Sequence, residues 1–484
     1  MKHTMRTTLP SILVLAGVLS GCAVGPAYER PATPAAPAYK ELEGWVPAAP
    51  ADLLERGPWW TLFGDPLLND LAGQVEVSNQ NVAAAVAAYA QARAIVAEQR
   101  ASLFPTIGLQ ASADRSGSRS ASSNNNNNGT NNGSTNNNSG GGRNSSSYRL
   151  GLGASWEPDL WGRLRAGVNA AAANAQASAA DLASARLSAQ GELVADYVSL
   201  RSIDAQRALL ADTIAGYQRV LRITQNRFNV GIIPHSDVFQ AQTQLANAQS
   251  DDLSLARQRA QLEHAIAVLV GRTPSEFALA PARWTVTVPD VPVGVPATLL
   301  QRRPDIAAAE RSVAAANERI GIARTAYFPN IGLSASYGAN ASRVPDLFRA
   351  SSLVWSLGLS ATQAIFDAGG LRAQVQEARA AQEQAAARYR QTVLDAFADV
   401  EDQLAGTRVL AQQQELRRQA SEAADKVEQQ VLNRYEAGQV SYSEVVQAQV
   451  TALNARRALI QTQADRQSTA VALIQSLGGG WHAE

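Results

Sequence analysis

Four stretches of the chain place a hydrophobic side chain at every second position. Ile107, Leu109, Ala111 and Ala113 alternate with Gly108, Gln110 and Ser112, and Tyr148, Leu150, Leu152, Ala154 and Trp156 alternate with Arg149, Gly151, Gly153 and Ser155. The pattern returns in Ile331, Leu333, Ala335 and Tyr337, and once more in Leu353, Trp355, Leu357, Leu359 and Ala361. Successive side chains of a strand point to opposite faces, so this period predicts four strands with one apolar face each. Each runs about ten residues, the length a tilted strand needs to cross membrane hydrocarbon. The opposite face is small or polar, as a water-filled lumen requires, and Tyr148 and Trp156 sit near strand ends, where an aromatic girdle lies. A half-buried sheet in a water-soluble protein is the other reading of the same alternation.

The rest of the chain reads as helix punctuated by proline, which ends helices and stays out of central strands. Prolines crowd the segment from Pro26 to Pro66, predicting an extended surface strap, and again the segment from Pro274 to Pro304. None lies between Pro158 and Pro234, and none follows Pro345. The span from Leu164 to Gln225 is 62 residues, roughly 93 Å of helix at about 1.5 Å per residue. After a turn near Gly231 and Pro234 it should return as Val238 to Val270, and Asp305 to Arg324 should lead into the third strand. Alanine-rich flanks, with Gln, Asn, Arg and Glu on the remaining faces, suit helices of a hollow barrel that is wet inside and out. Leucine is too thinly spread for a simple heptad seam, which weighs against a plain coiled coil.

The chain is also written twice. Leu164-Arg165-Ala166 matches Leu371-Arg372-Ala373, Arg227-Phe228 with Gly231 matches Arg434-Tyr435 with Gly438, Gln240-Ala241-Gln242 matches Gln447-Ala448-Gln449, and Val270-Gly271 matches Leu477-Gly478, all 207 positions apart. Upstream, Phe104-Pro105-Thr106-Ile107-Gly108-Leu109 matches Phe328-Pro329-Asn330-Ile331-Gly332-Leu333, 224 apart. The difference of 17 falls where the first copy carries Asn124 to Asn128 and Asn136 to Asn138 among Ser and Gly. Residues 117–147 hold almost no apolar side chain and predict a mobile extracellular loop. The organisation expected is a signal segment at 1–21, a strap at 22–66, a first repeat at 67–271, a proline-rich equatorial connection at 272–303, a second repeat at 304–478 and a tail at 479–484. Four strands cannot close on themselves, and an open sheet edge is not tolerated in lipid. Two copies would give eight strands around a filled interior, whereas three give twelve and room for a channel, so a homotrimer is expected.

Composition narrows the chemistry. The chain has 42 basic and 42 acidic residues; only Lys2, Lys40 and Lys426 are lysines, so there is no basic field for a nucleic acid. Four histidines and one cysteine are too few for a Cys/His metal centre or a disulfide framework. No lysine closes a Walker motif, and the Gly-x-Ser-x-Gly, His-Glu-x-x-His and dinucleotide signatures are missing, so no enzyme and no cofactor are expected. At the N-terminus Lys2 and Arg6 precede an apolar run from Leu9 to Leu19, too short to span a bilayer and fitting a secretory signal. The run ends in Leu19-Ser20-Gly21-Cys22, which looks like the bacterial lipoprotein signal whose cysteine is lipidated. Two or more acyl chains on Cys22 would make a stable anchor where one is marginal. The next residue is Ala23, not the aspartate that, by analogy, would retain the product at the inner membrane.

These residues carry a family resemblance. The sequence resembles the TolC-type outer-membrane factors of the lipoprotein branch that includes OprM and NodT. The matching pieces are Cys22-Ala23-Val24-Gly25-Pro26 with Tyr28 and Arg30-Pro31; Trp59-Trp60 with Phe63, Asp65-Pro66 and Leu67; Arg302-Arg303-Pro304-Asp305-Ile306 with Glu310; Phe328-Pro329; Phe366-Asp367 with Gly369; and Arg434-Tyr435 with Gly438 and Ala448-Gln449. The resemblance implies an α+β membrane protein: a homotrimer with a twelve-stranded outer-membrane β-barrel, four strands per chain, continued by a long periplasmic α-helical barrel. It also implies a passive duct for small molecules in a tripartite efflux pump, with a periplasmic adaptor (membrane fusion) protein and an RND-type inner-membrane transporter as partners. Outer-membrane conduits for type I protein secretion share that architecture. A lipid-anchored coiled-coil scaffold of the envelope and a hydrolase of envelope polymer are the readings from other classes.

Under this resemblance the two helix turns form a periplasmic tip. Arg227, Gly231 and Ser236 on the first turn, and Arg434, Gly438 and Ser441 on the second, are the candidate adaptor contacts. Asp237 and Glu444 are equivalent, 207 apart, and with Gln447 are the candidate gate or pore residues, since a carboxylate ring attracts cations. The same two carboxylates also suit the first turn of a returning helix, where negative charge favours the dipole. Relatives of this type often hold an aspartate and an arginine where this chain has Gln447 and Val450, which argues against a salt-bridge gate.

Overall fold

The computed structural model describes residues 24–33, 39–41, 58–117, 144–284, 286–289, 291 and 302–479. In chain order the elements that matter here are α1 (Pro66–Ser78), α2 (Gln80–Ala101), β1 (Thr106–Gly117), β2 (Asn144–Trp156), α3 (Arg163–Asn229), α4 (His235–Leu269), α5 (Pro304–Thr325), β3 (Asn330–Ala341), β4 (Leu353–Thr362), α6 (Gly370–Glu436) and α7 (Tyr442–Ser476). The duplication in sequence is a duplication in structure. α3 and α6 each run 67 residues and α4 and α7 each 35, and both pairs begin and end 207 positions apart. The long helices run a few residues beyond the span expected from proline, because alanine and unbranched polar side chains carry little helix penalty and nothing interrupts them before Gly231 and Gly438.

The four strands form one antiparallel sheet in the order β1-β2-β3-β4. Its register lines up the alternating hydrophobic positions. Leu109 lies opposite Leu152, Leu152 opposite Tyr337, and Tyr337 opposite Trp355. On the other face Gly108 lies opposite Gly153, Gly153 opposite Ser336, and Ser336 opposite Ser356. The outcome is an apolar face on which Ile107, Leu109, Trp355, Leu357 and Leu359 are exposed, backed by a small, polar one. Outer strands β1 and β4 each have one neighbour in the sheet, so each leaves one edge unpaired among the described residues. The hairpin is longer than its side chains indicate. Asn144 to Ser147, expected in the loop, are paired with Gly117 to Asp114, because ladder bonds come from the backbone and are indifferent to polar side chains. The Asn124–Asn128 and Asn136–Asn138 runs lie outside the described residues.

The described residues divide into two compact units. The unit built on 94–172 and 315–382 contains the sheet. Here the Trp161 ring stacks on Phe328 at 4.9 Å between centroids while its Nε1 donates to the Pro329 carbonyl at 2.8 Å. Asn317 Nδ2 donates to the Pro26 carbonyl at 3.0 Å. The Phe-Pro motif thus secures the base of β3, and Gly25-Pro26 lies against α5.

The second unit, built on 29–93, 173–314 and 383 onward, is helical. The proline-rich strap adheres to α6: Arg30 Nε donates to the hydroxyl of buried Tyr389 at 3.0 Å, Arg390 Nε donates to the Ala32 carbonyl, and the backbone N–H groups of Lys40 and Glu41 donate to the Glu401 carboxylate. Trp59, Trp60 and Phe63 are buried in edge-to-face contact, and Asp65 caps α1 while accepting from the Tyr197 hydroxyl. Arg303 holds Asp305 through two nitrogens, at 3.1 and 2.7 Å, and reaches Asp399 at 3.1 Å. An ion network that motif reading missed ties the proline-rich connection to α3 and α4. Arg201 and Arg259 both grip buried Asp204, at 3.0 and 2.7 Å, and donate to the carbonyls of Ala280 and Leu279. Removing one partner of a buried pair strands the other charges. Asp204→Ala should therefore lower stability by about 3–5 kcal/mol in denaturant unfolding; a loss indistinguishable from zero would show that water reaches these guanidinium groups.

Elsewhere on α3, burial, together with the like charge of Glu192 one turn away, pushes the Asp196 carboxyl up from 3.8 to about 6. The second repeat holds neutral Gln403 at that position. Below pH 3.8 the group is protonated folded or unfolded and contributes nothing. As pH rises the unfolded chain ionises first, so the penalty on folding builds between 3.8 and about 6 and is complete above that. Asp196→Asn should raise the melting temperature at pH 7.5 and leave it unchanged at pH 3.5; an equal gain at both values would exclude ionisation as the cause.

Candidate functional site

The two turns that join the long helices to their returning partners repeat each other atom for atom over their first halves. At the end of α3, Gly231 has φ 78°, and the N–H groups of Gly231 and Ile232 donate to the carbonyls of Phe228 and Arg227 at 2.8 and 2.9 Å. At the end of α6, Gly438 has φ 76°, and Gly438 and Gln439 donate to Tyr435 and Arg434 at 2.9 and 2.9 Å. This is the two-bond glycine stop of a helix, and the left-handed backbone it needs is cheap only without a Cβ.

The second halves differ. Ser441 precedes α7 and its backbone N–H donates to the Glu444 carboxylate at 3.3 Å, the return arm of a capping box. Its counterpart Pro234 has no N–H to offer, so Asp237 makes no such bond and instead receives a 3.4 Å contact from Ser236. Asp237 is half-buried and Glu444 exposed. The Tyr442 hydroxyl is held above its ordinary pKa by burial and by nearby Tyr435, Tyr217 and Asp237. Gln447 is exposed one turn further along α7, where its carbonyl accepts from Thr451 Oγ1.

Arg227 is committed within the chain. Its guanidinium donates to the carbonyls of Tyr435 and Glu436 at 2.9 and 2.8 Å and lies over the Tyr435 ring, 4.6 Å from its centroid. A cation on the last carbonyls of a 67-residue helix also meets the negative end of its dipole. Around it Val220, Ala241, Tyr435, Tyr442 and Val445 form a buried cluster that seals the first hairpin to the second. Arg434, its equivalent, is exposed, and its guanidinium has no hydrogen-bond or ion-pair partner among the described residues. An aromatic stack also escaped motif reading: Phe228 lies on His235 at 4.5 Å, and His235 on Phe239 at 4.2 Å. Its signal was present in the 207-residue offset, which sets Phe228 and His235 against Tyr435 and Tyr442.

Among the described residues no group of His, Cys, Asp and Glu is arranged to hold a metal ion, and no helix is long and apolar enough to cross a membrane. Cys22 lies outside the described residues. Residues 71–272 and 295–479 match the model of the outer membrane efflux proteins. The chain belongs to that family. It is 30% identical to the probable efflux pump outer membrane protein TtgC of Pseudomonas putida, covering 99% of this chain and 97% of that one. It is also 30% identical to the pyoverdine export outer membrane protein OpmQ of Pseudomonas aeruginosa over 91% of each. The solved structure of the outer-membrane channel OprN superposes with a TM-score of 0.85 at 30% identity, covering 95% of this chain and all of that one. This outer membrane efflux protein therefore has the TolC-type fold and serves as an outer-membrane component of efflux, in a family of transport proteins.

The asymmetry between the two turns is open to measurement. Glu444→Ala removes a cap bond and should destabilise the start of α7 by about 1 kcal/mol, whereas Asp237→Ala, which removes none, should leave α4 within about 0.5 kcal/mol. Amide hydrogen exchange at the two helix starts reads both; equal protection losses would show that the capping box contributes nothing.

Proposed function

We propose that three copies of this efflux protein close their sheets edge to edge into a twelve-stranded barrel in the outer membrane, continued through the periplasm by a barrel of the helices, as a passive duct for small molecules. The observation that carries this reading is the sheet itself. It has an exposed apolar face, a small polar face and, among the described residues, two unpaired edges, a combination that suits neither water nor lipid until β1 meets β4 of another copy. A lipid on Cys22, with no other cofactor, adds a second attachment to the same membrane. The names of TtgC and OpmQ, one an efflux pump component and the other a pyoverdine exporter, support small organic cargo rather than protein. A duct of this kind needs a periplasmic adaptor and an energised inner-membrane transporter, for which an RND-type pump is the fitting class.

In this reading the adaptor meets the glycine turns at Gly231, Ser236, Gly438 and Ser441, with Arg227 bracing them from within. Asp237, Glu444 and Gln447, each present three times, line the narrowing at the tip, where the carboxylates favour cations.

The test is expression in a strain lacking its own outer-membrane efflux channel but holding a periplasmic adaptor and an RND-type transporter, while following accumulation of a fluorescent efflux substrate. Accumulation should fall several-fold, and the purified protein should have the native mass of a trimer. In planar bilayers the Asp237→Asn, Glu444→Gln double variant should show lower cation selectivity. A trimer that inserts but leaves accumulation unchanged would remove the efflux role, and a monomer without conductance would remove the duct.

A further inference from the structure

The link between β3 and β4 folds back onto the apolar face of the sheet. It is made of two short 3-10 turns, Val344–Phe348 and Ala350–Ser352. The link is also tied to itself: the Arg349 N–H and Ser352 Oγ both donate to the Asp346 carbonyl, at 3.2 and 2.7 Å, and Arg349 Nε meets the Asp346 carboxylate at 3.2 Å. Strand β3 shows which face is covered. Ala339 is 7% exposed, although Tyr337, its neighbour on the same face, is 58% exposed. Between link and sheet lies a slot of 490 Å³, with Leu109, Leu152, Tyr337 and Leu353 on one side and Leu347 and Phe348 on the other. That volume falls within the range of small-ligand sites, roughly 300–1,000 Å³. Phe348 lines the slot yet is 81% exposed, a placement that suits hydrocarbon better than water.

Charges at this end of the sheet are sorted by face. By alternation Arg115 shares the apolar face of Leu109 and Ala113, opposite Ser146, and lies six residues beyond Leu109, about 20 Å along the strand. Asp114 alternates onto the small polar face, and β2, β3 and β4 hold no acidic residue. Asp346, already paired with Arg349, is therefore the only carboxylate of the link or of this face of the sheet among the described residues. Arg343 and Arg349 stand at the two ends of the first turn, both exposed, and Arg349 also lines the slot. The guanidinium groups of Arg115 and Arg343 have no hydrogen-bond or ion-pair partner among the described residues. Such groups are suited to phosphate oxygens, which they meet through two N–H bonds at once.

We infer that the slot holds an acyl chain of a phosphorylated, multiply acylated glycolipid of the outer leaflet, whose phosphates lie on Arg115 and on the Arg343–Arg349 turn. Two separate basic points match a headgroup with two phosphates better than a glycerophospholipid, which has one. The proposal rests on the barrel reading above, which sets this end of the sheet outward because the helices leave from the other end.

The purified protein, incubated with diphosphoryl lipid A and examined by native mass spectrometry, should retain one such lipid per chain after detergent is stripped. Phosphatidylglycerol and inorganic phosphate should be retained at least tenfold less. Arg115→Gln with Arg349→Gln should cut lipid A retention at least tenfold, and Leu152→Trp, which fills the slot, at least fivefold. Arg149→Gln, on the small polar face, should leave retention unchanged. A native trimer that holds lipid A equally in all these variants, or holds phosphatidylglycerol as firmly, would overturn the site and leave the barrel standing. Retention that begins only after residues 118–143 are deleted would show the slot to be covered by the chain itself and would likewise overturn it. A native monomer would overturn the barrel reading and the site together.

Discussion

Every strand in this protein has to have its backbone N–H and C=O groups satisfied where water is absent. Among the described residues of one chain that condition is met for three ladders, β1 with β2, β2 with β3, and β3 with β4, and is left unmet along the outer edges of β1 and β4. Leaving such groups unpaired in hydrocarbon costs several kcal/mol each. No side-chain substitution repairs that deficit; only another strand does. The exposed Ile107, Leu109, Trp355, Leu357 and Leu359 set the second half of the constraint, since the same sheet is a poor surface for water. Assembly and membrane insertion are thus two consequences of one incomplete hydrogen-bond ladder.

Duplication supplies the geometry, and divergence between the copies supplies the specificity. The helices agree to the residue across the 207-position offset, yet the side chains at equivalent places do different work. Glu444 helps cap α7 because Ser441 has an N–H; Asp237 cannot do the same behind Pro234. Asp204 gathers two arginines in the first copy where the second has Ala411, and the copy that needs the network is the one followed by the proline-rich connection. Asp196 stands half-buried where the other copy has Gln403. A chain written twice and then edited keeps one backbone plan while giving its two copies different side-chain partners.

The reliance on arginine fits this plan. Of the basic residues only three are lysines, and the arginines that matter grip carbonyls and carboxylates through several nitrogens at once: Arg227 two helix-end carbonyls, Arg303 two oxygens of Asp305, Arg259 the carboxylates of Asp204 and Glu263 and the Leu279 carbonyl. A planar fork holds direction in a way an ammonium does not. Between alanine-rich helices, where packing alone offers little shape to lock onto, such forks fix register.

The strands, the long helices, the glycine stops and the duplication were legible from residue order because each follows from a local rule: alternation, the absence of proline, the tolerance of glycine for positive φ, and the 207-residue echo. Strand ends at Gly117 and Asn144 were not, since backbone pairing ignores the polar character of Ser145 to Ser147. Nor was the fate of individual charges. Arg227 and Arg434 look identical in sequence, and only the fold shows one committed to the carbonyls of Tyr435 and Glu436 and the other exposed. Asp237 and Glu444 likewise match by position and part by partner. Periodicity is a property of the chain, readable one residue after another; which donor meets which acceptor across two hundred residues depends on packing, and packing exists only once the elements are side by side.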